Sequence, residues 1–106
     1  MRIEYTHEEH VALAEAYAFM ATEQEAGRKV NKAQLARDLQ AGACAVRTRG
    51  AIEAKWMNMS AVAVEFGLLP NLPDGYVKGY KPAPNYGKAL ITYLQDALLK
   101  AYLRAA

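Results

Sequence analysis

Two histidines three residues apart, in His7-Glu8-Glu9-His10, are the first groups whose chemistry needs an account. A zinc-hydrolase helix places its histidines four apart, with a glutamate directly after the first. The spacing here is three, and no other histidine exists to complete a ligand set. The stretch reads instead as a solvated first helical turn with Glu9 as a capping acid. Cys44 is the only thiol and would need His7 or His10 as its base. Nothing beside it resembles an activating environment, and cysteine is among the most buried residue types. Acidic pairs occur only as helix-surface charges, and the seven glycines are scattered rather than gathered into a phosphate loop. The chain reads as non-catalytic, without metal or cofactor.

Binding chemistry is better represented. The segment Arg47-Thr48-Arg49-Gly50-Ala51-Ile52-Glu53-Ala54-Lys55 follows two helical stretches. A cap flanked by arginines, then a helix carrying lysine, is how a helix-turn-helix presents its recognition helix. Arg47 and Arg49 would reach phosphates beside free backbone amides, with Lys55 and Asn58 further along. Arginine can read guanine, and asparagine can read adenine. The competing reading pairs Arg47 and Arg49 with acids of the first helix and makes Asn58 a cap. A second cluster interleaves Tyr76, Tyr80 and Tyr86 with Lys78, Lys81 and Asn85. Rings among cations suit base stacking and phosphate contact, or the rings pack back onto a small core. Lys81 precedes Pro82 and is held extended, so this loop is expected to be ordered.

Four helical elements must position these groups. Thr6 and Glu9 form a capping box for the first, with Leu13, Tyr17 and Met20 at helical spacing and Gly27 as its stop. Asn31 and Gln34 form a second box, with Val30 stapled onto Leu35; Leu35 and Leu39 mark the buried face, and the helix ends near Gly42. Thr48 starts a third, along which Ile52, Trp56, Met59, Ala63 and Phe66 share a face and Gly67 caps the end. Asn58 or Ser60 is a point where this helix can break in two. Pro70, Pro73, Pro82 and Pro84 make residues 68–84 a loop, with 76–81 as a brief extended strand. Asn85 caps a last helix running to about Tyr102. The core is expected around Leu13, Tyr17, Leu35, Leu39, Ile52, Trp56, Val62, Phe66, Leu90 and Leu94.

A chain of 106 residues, 53% apolar and 23% charged, suits one small folded domain spanning residues 1–106. A single cysteine fits a reducing compartment. No apolar run approaches the roughly 20 residues of a membrane span. Met1-Arg2-Ile3-Glu4-Tyr5 lacks the layout of a secretion signal. The expected location is therefore cytoplasmic, with no membrane partner. The net charge of +2 hides an asymmetry. Residues 1–26 carry six acids against one base, and residues 27–56 carry seven bases against two acids. The basic middle either faces a polyanion or pairs with the acidic first helix.

One pattern runs through the second half: Arg47 to Lys55, then Asn58-Met59-Ser60-Ala61-Val62, Glu65-Phe66-Gly67-Leu68, Gly79-Tyr80-Lys81-Pro82 and Asn85-Tyr86. It resembles a small helical module found N-terminal to HNH-type nuclease and other restriction-type domains of bacterial proteins. The resemblance covers roughly residues 31–95. The chain departs from it in carrying an extra Pro70-Asn71-Leu72-Pro73-Asp74-Gly75 stretch and no nuclease domain, so no cleavage is implied. The resemblance implies recognition of DNA or of a partner. Carried over to this chain, the candidates are Arg47, Arg49, Lys55, Asn58, Ser60, Tyr80, Lys81 and Asn85.

The expected fold is all-α: four to five short helices with a helix-turn-helix-like core and one ordered Pro/Tyr-rich loop. The expected function is a non-catalytic, duplex-DNA-binding domain, as a free-standing accessory protein of a phage or restriction-related system. The alternative is a protein-interaction module, acting as a homodimer or as an inhibitor of a host protein.

Overall fold

The computed structural model describes residues 4–105. Met1, Arg2 and Ile3, part of the stretch read above for a secretion signal, lie outside the described residues. Four helices follow in order: α1 (His7–Glu25), α2 (Lys32–Gln40), α3 (Arg49–Phe66) and α4 (Ala89–Ala105). No strand occurs among the described residues. None of these helices is long and apolar enough to cross a membrane.

The helix starts follow local chemistry. The Thr6 hydroxyl accepts from the Glu9 amide at 3.1 Å, and Glu9 returns the bond to the Thr6 amide at 2.9 Å. Asn31 and Thr48 accept from the amides three residues on, at 3.0 and 3.1 Å. Each such cap satisfies a backbone donor that the helix cannot. The second box is half formed, because the Gln34 side chain turns to Asp38 instead. Gly67, at φ +60°, ends α3 in the left-handed region where a Cβ is costly.

Three helices run in the same direction. Tyr5 Oη reaches the Ala51 carbonyl, Trp56 Nε1 donates to the Leu13 carbonyl at 3.2 Å, and Tyr17 Oη meets Ser60 Oγ at 2.8 Å, so α3 runs parallel to α1. His7 Nδ1 meets Tyr93 Oη at 2.9 Å, and the Tyr102 hydroxyl bonds Glu25, so α4 is parallel as well. Parallel neighbours require a long return, and residues 67–88 supply it. Leu13, Tyr17, Met20, Ile52, Trp56, Met59, Val62, Leu90 and Leu94 fill the centre. Trp56 is completely buried, tilted against Tyr80 with ring centroids 5.2 Å apart.

Several expectations are corrected. Phe66 is 45% exposed; the turn at Gly67 brings Leu69 and Leu72 into the end of the core in its place. Leu35 and Leu39 are only half-buried, and Ala36 is the buried residue of α2. α3 does not break at Asn58 or Ser60, because neither side chain competes for its own helix's backbone. Residues 76–81 form turns rather than a strand: the Val77 amide donates to Tyr17 Oη at 3.1 Å, and Gly79 adopts φ +95°. Asn85 does not cap α4, which starts four residues later at Ala89 and runs to Ala105.

Candidate functional site

The structure disperses the eight candidates into three settings. Arg47 and Ser60 are turned inward. Arg47 Nε donates to Glu9 Oε2 at 2.7 Å and Nη2 to Oε1 at 3.0 Å, a two-pronged pair with both side chains almost wholly out of solvent. Nη2 also donates to the Glu4 carbonyl at 2.9 Å, and the guanidinium lies 3.8 Å from the Tyr5 ring centroid. Bonds from Arg47, followed by those at the Thr6 cap, hold the Glu9 carboxyl down at about 2. This is a buried contact between the acidic first helix and the basic middle; an exposed one joins Arg28 to Glu23. Ser60 is fully buried against Tyr17 and offers no surface to a ligand.

Tyr80, Arg49 and Lys81 belong to a second setting. Tyr80 packs on Trp56 with Lys32 over its ring at 4.9 Å, and burial pushes its hydroxyl up to about 12. Arg49 and Glu53 stand close enough to influence it. Arg49 is exposed and approaches Glu53 at 3.7 Å. Lys81 is exposed.

Lys55, Asn58 and Asn85 come together in the third. They line a groove of ≈ 770 Å³ across the first half of α3, closed on one side by the start of α1 and on the other by residues 85–90. Asn58 builds one wall: its Nδ2 donates to the Ala83 carbonyl at 2.8 Å and to the Asn85 carbonyl at 3.3 Å. The Ala83 amide in turn donates to the Met57 carbonyl at 3.0 Å. The returning chain is thus stitched onto α3. Lys55 Nζ sits 4.3 Å from the Tyr5 ring centroid, an arrangement that fixes a cation over a π face. Tyr86 lines the groove and bonds Glu65 through its hydroxyl.

Tyr5 and His10, which also line the groove, were not among the candidates. They stack with centroids 5.5 Å apart, and His10 stacks on Tyr93 at 4.8 Å. Burial, then Lys55, holds His10 below the ordinary histidine range, so it favours the neutral ring. A local signal existed: Tyr5 precedes the Thr6 cap and His10 is the fourth helical residue, the two positions that form a staple. The groove offers a held cation, amides and aromatic rings with Glu4 as its one acid, a surface suited to phosphate and base contact. Cys44 is buried, and burial pushes its thiol up, the reverse of activation. No protein-family model, curated protein or solved structure matches this chain.

Proposed function

We propose that this chain is a non-catalytic DNA-binding domain of helix-turn-helix character. In this reading α2, the turn at 41–48 and α3 form the motif, and the groove across α3 is the contact surface. The observation that carries the proposal is the convergence of Lys55, Asn58 and Asn85 with Tyr5, His10 and Tyr86 in one groove. Lys55 contacts phosphate, Asn85 contacts the backbone or a base edge, and Asn58 holds the wall in place. Arg47 and Ser60 support the scaffold rather than the ligand. The resemblance to modules beside HNH-type nucleases favours duplex DNA and an accessory role in a restriction-related or phage system.

The test is fluorescence anisotropy of a labelled random-sequence duplex across a salt series, comparing wild type with Lys55→Ala/Asn85→Ala. Affinity in the micromolar range should fall steeply with salt. The double variant should bind roughly tenfold more weakly, with a salt slope shallower by about one. A folded wild-type protein that leaves the duplex free at about 50 mM salt overturns the reading.

A further inference from the structure

Among the described residues, four cations and no acid line a pocket of ≈ 290 Å³ where the end of α1, the start of α2 and the return segment meet. The cations are Arg28 and Lys29 from the turn after α1, Lys32 at the start of α2, and Lys78 from the return segment. Gln24 and the buried Met20 and Val77 complete much of the lining. The acids nearest in sequence belong to a different surface. Glu23 and Glu25 line the groove between α1 and α4, where Glu25 meets the Tyr102 hydroxyl. Glu23 neutralises Arg28 at 2.5 Å. Lys29, Lys32 and Lys78 make no ion pair among the described residues.

Hydrogen bonds hold these cations in place. The Lys78 amide donates to Gln24 Oε1 at 2.9 Å and the Val77 amide to Tyr17 Oη at 3.1 Å, which pins the return segment to α1. Lys32 Nζ donates to the Lys78 carbonyl and lies 4.9 Å from the Tyr80 ring centroid. Gly79 makes room for it: a Cβ there would stand 2.8 Å from Lys32 Nζ, at a φ of +95° that favours glycine. An ammonium carries three protons, and the carbonyl takes one, so donors remain for a ligand. The arrangement has an electrostatic cost. Burial, then the charge of Lys78, holds the Lys32 amine below the ordinary lysine range. The end of α1 and the start of α2 bring opposite partial charges to the same place, so the side chains set the sign of the field. Three ammonium groups without a carboxylate repel one another, and a bound anion removes that repulsion.

We propose that this pocket binds a phosphate group, with Lys29, Lys32 and Lys78 as its donors. Lysine meets phosphate as a point charge, and three such charges from three parts of the chain converge on one oxyanion. No ring and no carboxylate lines the pocket among the described residues, so phosphate is the part of a ligand that it recognises. A small phosphorylated ligand and a nucleic-acid backbone both carry that group. The proposal is independent of the nucleic-acid reading, because the pocket shares no residue with the groove across α3.

Titration of the isotope-labelled chain with pyrophosphate, followed by NMR at an ionic strength held constant with sodium chloride, tests it. The amides of Lys29, Lys32 and Lys78 should shift and saturate together, with a dissociation constant of about 1 mM or below. Lys29→Ala/Lys78→Ala keeps the Lys78 carbonyl that holds Lys32 and should weaken binding at least about tenfold. Lys100→Ala/Arg104→Ala removes as many charges from exposed positions of α4 and should stay within about twofold of wild type. The same spectra report whether each variant is folded. A second arm uses a random-sequence duplex. Shifts at the same three amides, lost in Lys29→Ala/Lys78→Ala, assign the phosphate to nucleic acid; shifts there with pyrophosphate alone assign it to a small ligand. Amides unmoved by either probe overturn the proposal. So does a pyrophosphate affinity that both double variants lower alike, or that neither lowers.

Discussion

The turn leading into α3 and the groove across α3 are built from the same side-chain types and do opposite things with them. In the turn, Arg47 points inward: its guanidinium meets the Glu9 carboxylate, the Glu4 carbonyl and the Tyr5 ring, and almost none of it touches solvent. In the groove, Lys55 Nζ lies 4.3 Å from the centroid of that same Tyr5 ring, among the residues that line the groove. Arg49, two residues after Arg47, has only the loose 3.7 Å approach to Glu53. The difference teaches that a basic residue's direction is decided by its nearest acid. A buried carboxylate demands a partner because an unpaired charge out of water is costly. An exposed one makes no such demand.

Breaking the inward region should produce the largest effect. Arg47→Ala leaves Glu9 buried without its counter-ion and should cost about 3 kcal/mol in urea unfolding. That is a large part of the stability of a domain this size. The sign with pH follows from the depressed carboxyl. Glu9 titrates near 4.5 when unfolded and at about 2 when folded. Its stabilisation is therefore complete above about 4.5 and is lost as pH falls from there towards 2. Glu9→Gln should flatten that acid limb. An Arg47→Ala protein as stable as wild type would erase the contrast between the two regions.

A smaller effect is expected where the return segment meets the core. Tyr17→Phe removes the acceptor of the buried Val77 amide and the partner of Ser60. The expected cost is about 2 kcal/mol, since a buried donor is left unmet. Asn58→Ala sharpens the comparison on the groove side. It frees the Ala83 and Asn85 carbonyls in a partly exposed place, at a cost of about 1 kcal/mol. Amide exchange should accelerate at Ala83 and its neighbours while the centres of α1 and α3 stay protected.

Legibility in the sequence tracks separation along the chain. The caps at Thr6, Asn31 and Thr48 join residues three apart, and such spacing is visible in the sequence itself. The apolar face of α3 was equally visible as far as Ala63, failing only at Phe66, where the chain turns away. The Glu9–Arg47 pair spans 38 positions, and Asn58 reaches carbonyls 25 and 27 positions on. No periodicity encodes such contacts. The Arg47 signal was therefore open to two readings, and its surroundings support the pairing with the first helix. The return segment was legible as proline-rich, but its lack of a strand was not. Alternating residue types at 76–81 look extended until Tyr17, sixty positions away, captures the Val77 amide.

The parallel course of α1, α3 and α4 has an electrostatic consequence. Peptide dipoles in a helix add to roughly half a positive charge at its amino end. Opposed helices cancel one another's fields; three aligned ones add. The first turn of α1 answers with Glu8 and Glu9, but the first turns of α3 and α4 hold no acid. The amino ends of α3 and α4 therefore keep that partial positive charge without an acid in their first turns, and Ala51 and Ala89 place the groove beside them. In a polyanion's field the protein should turn this end forward before any side chain makes contact.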